Sequence, residues 1–228
     1  MVSLITEGSS TDSNGKRFPR RRIAPWLVMV AILALLGASV WVTVFTRGET
    51  NTAAMTCNSP RVPTSVEPGA SPPAPLGKRV GAARMEDVEP AALSATKVRV
   101  FNANGERGQA AHVASQLSDY GFASAPDVQV GNDPVYVDQN MECSGQIRFG
   151  PTGRAAAASV QLVAPCAELI EDTRPDDTVD LSLGTYFGDI KPNPDAEEVL
   201  RSLKDPPPGV APAPLDIALL KAARVAKC

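Results

Sequence analysis

Residues 98–117, VRVFNANGERGQAAHVASQL, and residues 147–163, IRFGPTGRAAAASVQLV, decide the fold. Each reads as a short strand, a glycine turn and an alanine-rich helix. In the first, KVRVFN at 97–102 alternates apolar and polar side chains at the period of a strand. Asn102, Asn104, Gly105 and Gly108 supply the turn. From 109 to 120, Ala110, Ala111, Val113, Ala114 and Leu117 recur at helical spacing before Gly121 stops the helix. In the second, 146–149 is the strand, Gly150 to Gly153 the turn, and 154–163 the helix. GQAAHVASQL from Gly108 and GRAAAASVQL from Gly153 agree at five of ten positions, which predicts an internal repeat.

Further strands are expected at 122–130 and 135–138, with Asn132, Asp133 and Pro134 turning between them, and at 178–183 before Gly184. The predicted fold class is α/β of the α+β kind, one small β-α-β-β-α-β-like domain with a pseudo-twofold repeat. Three blocks in order, VRVFNANGERGQAAHVASQLSDYGF, IRFGPTGRAAAASVQLV and VDLSLGTYFGDI, resemble the LytR C-terminal domain family. The likeness covers the folded module alone, placed at 96–191. It implies an actinobacterial cell-envelope setting. Relatives often carry a LytR-CpsA-Psr transferase domain ahead of this one, but about 50 residues of proline-rich spacer have no room for such a core. The resemblance therefore implies the compartment and not the transfer reaction.

Outward from the module, the prolines mark two arms: seven of the 21 lie between Pro60 and Pro90 and seven between Pro192 and Pro214. Residues 47–95 are expected to be an extended spacer, and 192–228 a proline-rich arm with short helices at 195–204 and 216–227, the latter capped by Asp216. Before the spacer, APWLVMVAILALLGASVWVTVF runs for 22 residues without a charge, enough as a helix for roughly 33 Å of bilayer. Five basic residues precede it against two acidic ones, whereas 17 basic and 23 acidic residues follow it. The positive-inside rule then predicts a cytoplasmic tail at 1–23, a transmembrane helix at 24–46 contacting the lipid bilayer, and an extracytoplasmic remainder. A cleaved signal peptide is the competing reading, but its apolar core would be shorter and followed by a small-x-small site.

Four cysteines, Cys57, Cys143, Cys166 and Cys228, fall on the exported side, where disulfides persist. Three pairings are possible. Proximity within the module predicts Cys143 with Cys166, leaving Cys57 with Cys228 in the arms. With one histidine and no CxxC, neither a redox centre nor a metal site is expected.

The chain carries little that points to catalysis. His112 stands on a helix with Ser115 and Gln116 as its next-turn neighbours, which makes no triad. Glu171, Asp172, Asp176, Asp177 and Asp180 lack the ligand order of a calcium loop. The first turn has G-x-x-G and not G-x-G-x-x-G or a P-loop lysine, so no nucleotide cofactor is expected. With a net charge of -3, nucleic acid is not an expected partner.

The candidate ligand-binding residues are Asn102, Asn104, Gly105, Arg107 and Gly108 in one turn and Gly150, Gly153 and Arg154 in the other. The two turns are expected to share one face. The expected function is non-enzymatic: a membrane-anchored protein that maintains envelope integrity by binding wall glycopolymer, or alternatively a scaffold or regulator of envelope-assembly proteins. Sugar sites usually need aromatic platforms, and Tyr120, Tyr136 and Tyr186 are the available phenols.

Overall fold

Val98 and Val100 on β2 (Lys97–Asn102) are buried against Val113 and Leu117 of α2 (Gln109–Tyr120), because alternate strand residues and one stripe of a helix each present a single apolar face. The same match joins Ile147 and Phe149 of β5 (Gly145–Phe149) to Ala157, Val160 and Leu162 of α3 (Arg154–Val163). The computed structural model describes residues 24–46, 55–61, 73–205, 214–226 and 228, and the chain divides into two units, 1–50 and 51–228.

In the second unit seven strands form one mixed sheet. Besides β2 and β5 these are β1 (Lys78–Val80), β3 (Ala123–Ser124), β4 (Val130–Asn132), β6 (Glu168–Glu171) and β7 (Val179–Leu183), in the order β1-β6-β5-β7-β2-β3, with β4 also paired to β2. β2 is parallel to β4 and β5 is parallel to β6, so each predicted repeat is a strand, a crossover helix and a parallel strand. β7 lies between the halves, parallel to β2 and antiparallel to β5. The two halves run in opposite directions, as a pseudo-twofold axis normal to the sheet requires.

Several expectations change. The single strand expected at 122–130 is two short pieces, β3 and β4, on one edge of β2. Residues 135–138 form no strand: Asp133 accepts hydrogen bonds from the Val135 and Tyr136 N–H groups at 2.8 and 2.7 Å, winding them into a turn. β6 is an additional strand, in which buried Leu169 and Ile170 stand between Glu168 and Glu171. The spacer predicted at 47–95 is in large part domain. β1 pairs with β6, and Cys57, Met85 and Leu93 are buried.

The disulfides are also re-paired. Cys57 bonds Cys143, and Cys166 bonds Cys228. The expected 143–166 and 57–228 pairs do not form. The N-terminal arm lies beside the start of β5, with Asn58 donating to the Asn140 carbonyl and Arg79 donating to the Cys57 carbonyl, which puts Cys57 next to Cys143. The second bridge ties the α3–β6 loop to the end of the chain.

The C-terminal arm carries the two expected helices, α4 (Pro194–Ser202) and α5 (Ile217–Ala223). Asn193 caps α4, and Asp216 caps α5 through the Ala218 and Leu219 N–H groups. Leu220 and Ala223 are buried in the main core, so α5 docks on its own domain through them, while Ile217 stays exposed.

In the first unit α1 (Ala24–Thr46) is a 23-residue helix without a charged residue. Among the described residues no helix is classed as long and apolar enough to cross a membrane, so the expected span at 24–46 is not shown. The tail at 1–23 lies outside the described residues.

Candidate functional site

Parallel strands β2 and β4 end side by side at Asn102 and Asn132, and the chain leaves β2 through a turn into α2. A crevice outside the carboxyl ends of parallel strands is where sheets of this kind receive ligands. Here the crevice is a cleft of about 610 Å³ whose lining includes Arg107, Gly108, Gly131, Asn132 and Gln139.

The asparagines build the turn. Asn102 donates through Nδ2 to the Glu106 carbonyl at 2.8 Å and accepts at Oδ1 from the Asn104 and Gly105 N–H groups at 3.0 and 2.8 Å. Asn104 accepts from Glu106 N–H, and its Nδ2 donates to Gln109 Oε1 and to the Gly184 carbonyl, both at 2.8 Å. Their polar groups are therefore committed to the loop. Gly105 and Gly108 both take φ of +81°, a conformation that costs a side-chain-bearing residue about 1–2 kcal/mol.

Gly108 caps α2 with no side-chain hydrogen bond. The cleft thus combines the partial positive charge of a 12-residue helix start with the exposed Arg107, which among the described residues has no carboxylate partner. Anionic or hydroxyl-rich ligands suit that chemistry.

The second turn lies elsewhere. Asn102 is in register with Leu183 and Leu183 with Gly145, whereas Phe149 is in register with Val179 and Val179 with Val98. Gly150, Gly153 and Arg154 therefore leave the sheet at the end opposite to Asn102, and no shared face forms. The pseudo-twofold repeat is itself the reason, since it reverses the second half. Arg154 is moreover committed, with its Nε donating to Glu171 at 3.0 Å. Gly150 packs under a loop, where an added Cβ would lie 2.2 Å from the Arg174 carbonyl oxygen.

The acidic patch is neutralised. Arg174 donates to both Asp172 and Asp180, Arg99 donates to Asp180 and Asp127, and Lys97 pairs with Asp177. Burial raises the Asp172 carboxyl, but the Arg174 side-chain and backbone hydrogen bonds outweigh it and hold the group below its ordinary range. The Thr178 hydroxyl, donating to Asp176, lowers that carboxyl too. His112 is exposed on α2, as is Ser115.

What went unforeseen is a polar layer on the sheet face away from α2 and α3. Gln146, Arg148, Asp180 and Ser182 are all buried there, with Arg148 pairing with Asp133 at 2.9 Å. Charged residues at alternate strand positions, flanked by Ile147 and Leu181, were the available signal. Of the phenols, Tyr136 is buried, Tyr120 is half-buried and Tyr186 is exposed.

Residues 95–187 match the family model described as LytR cell envelope-related transcriptional attenuator. Over 228 residues, all of both chains, the protein is 44% identical to the cell envelope integrity protein Cei of Mycobacterium tuberculosis. It is similar to the crystal structure of the soluble domain of a conserved hypothetical secreted protein from Mycobacterium marinum, with a TM-score of 0.60 and 49% identity over 67% of this chain and 99% of that one.

Proposed function

We propose a function from one premise: the chain belongs to the family of the cell envelope integrity protein, with its LytR C-terminal domain at residues 95–187. An envelope role goes with that family, and an extracytoplasmic domain is in keeping with the secreted relative. The finer reading is that the domain binds wall glycopolymer without turning it over, held at the membrane by α1. Supporting the anchor, five basic residues against two acidic ones stand ahead of the uncharged run at 24–45.

The observation that carries the binding reading is the cleft at the ends of β2 and β4, where Arg107 and the open N-terminus of α2 face the same 610 Å³ of space. Guanidinium and backbone N–H groups donate and do not accept, so they favour phosphate, carboxylate or hydroxyl oxygens. The scaffold alternative is the weaker reading, because the C-terminal helix α5 docks Leu220 and Ala223 on its own domain.

Co-sedimentation of oxidised residues 51–228 with purified wall polymer tests the proposal. Saturable pelleting that weakens as salt is raised is the expected result. A folded, disulfide-intact domain that stays in the supernatant at every polymer concentration would contradict it and favour a protein partner.

A further inference from the structure

A second depression opens at the same end of the sheet as the Arg107 cleft. It holds about 560 Å³, and its lining includes Pro165, Ala167, Tyr186, Lys191, Val225 and Cys228. Tyr186 follows β7, whose last residue Leu183 is in register with Asn102, while Ala167 precedes β6, whose Glu168 pairs with Gln146 near the start of β5. All of these chain ends lie on one side.

Tyr186 is 60% exposed, a large aromatic surface left to solvent on a rigid loop. Its own N–H donates to the Cys143 carbonyl at 3.0 Å, and those of Thr185 and Phe187 donate to Met141 and Gly184. The backbone that carries the ring is thus fixed on both sides. The opposite wall is fixed as well: Asn193 Nδ2 donates to the Ala223 and Val225 carbonyls, both at 3.0 Å, and Cys166–Cys228 holds the tail. At the rim stand exposed Lys191 and Asp189. An exposed aromatic ring on a fixed loop, with a few polar groups around it, fits the apolar face of a pyranose ring together with its edge hydroxyls.

The loop is also wired to the first cleft. Asn104 donates to the Gly184 carbonyl at 2.8 Å, and Gln109 Nε2 donates to the Phe187 carbonyl at 3.2 Å. We infer that the groove beside Tyr186 is a saccharide-stacking subsite that continues the Arg107 cleft along one end of the sheet, so that one extended glycan lies across both. The inference rests on the wall-polymer reading above and adds to it the ring on which the sugar stacks. The partner of the first glycine turn is then the Tyr186 loop, and not the Arg154 turn.

Trp26 and Trp41 are the only tryptophans and precede residue 51, so the isolated domain holds no indole and three tyrosines, each of which is followed by itself. The solved structure of the relative's soluble domain supports use of residues 51–228 by themselves. Oligosaccharides released from purified wall by enzymatic digestion are titrated into the domain while the ring protons of Tyr186 are followed by NMR, and pelleting with intact wall is measured in parallel.

Stacking predicts a saturable upfield shift of the Tyr186 ring, a loss of affinity of about tenfold in Tyr186→Ala, and near-parental affinity in Tyr186→Phe, which keeps the ring. Tyr120 and Tyr136 stay unmoved. Pelleting that is weakened by Arg107→Ala but untouched by Tyr186→Ala, with no ring shift, would overturn the subsite and leave the wall-binding reading standing. No pelleting by the parent domain and no ring shift would overturn both.

Discussion

Arg148 and Asp133 show how much a single residue can matter in this domain. Both are buried, and Asp133 also accepts from two backbone N–H groups of the 135–138 turn. Arg148→Met leaves an uncompensated carboxylate and is expected to cost about 3–5 kcal/mol in urea unfolding. The Arg148→Met, Asp133→Asn double variant keeps the turn's acceptor and is expected to cost less than the single change. Asp172 gives a pH prediction. Its folded value is depressed, so its contribution is present in full above the unfolded value of about 3.9 and is lost as pH falls through the lower folded value. Acid titration of Asp172→Asn should therefore give a shallower loss of stability below about pH 4 than the parent shows. The turn residues Asn102, Gly105 and Gly108 were legible, because those residue types answer a backbone need. The buried ion pairs were not, since a strand arginine carries no mark of which face will be covered.

At the scale of elements, the helices and the strands that enter them were legible: α2 and α3 match the expected bounds, and β2, β5 and β7 agree within one residue. Their periodicity is local. β6 depends on partners distant in sequence, β5 and β1, whereas the 135–138 turn is set by the Asp133 side chain, which accepts from Val135 and Tyr136 N–H in place of a strand ladder. Gly184 follows β7 against the backbone at Cys143, where an added Cβ would sit 2.1 Å from the Cys143 carbonyl oxygen. Gly184→Ala must push the two backbones apart. It is expected to lower the thermal midpoint by several degrees, an effect on the order of 1–3 kcal/mol, and to loosen amide exchange at Thr185 and Tyr186. Gly81, with open space around its Cβ position, is the control whose alanine variant should be close to neutral.

For the molecule as a whole, the two disulfides close chain separations of 86 and 62 residues, each worth about 4 kcal/mol in the chain-entropy model. Cys57→Ser with Cys143→Ser should lower stability to denaturant by about that amount and free the N-terminal arm. Cys166→Ser with Cys228→Ser should instead release the tail beside Tyr186, and limited proteolysis of the two variants should cut at opposite arms. Connectivity was not legible because it follows from where β1 carries the N-terminal arm, a long-range pairing of three residues. The repeat was legible, but its consequence for the site was not: a twofold normal to the sheet sends the two glycine turns to opposite ends. The account stands on that separation, and the most direct test is wall-polymer pelleting of residues 51–228 carrying either Arg107→Ala or Arg154→Ala at matched salt. The account predicts weakened binding for Arg107→Ala and near-parental binding for Arg154→Ala. Equal loss in both variants, or loss with Arg154→Ala alone, would contradict it.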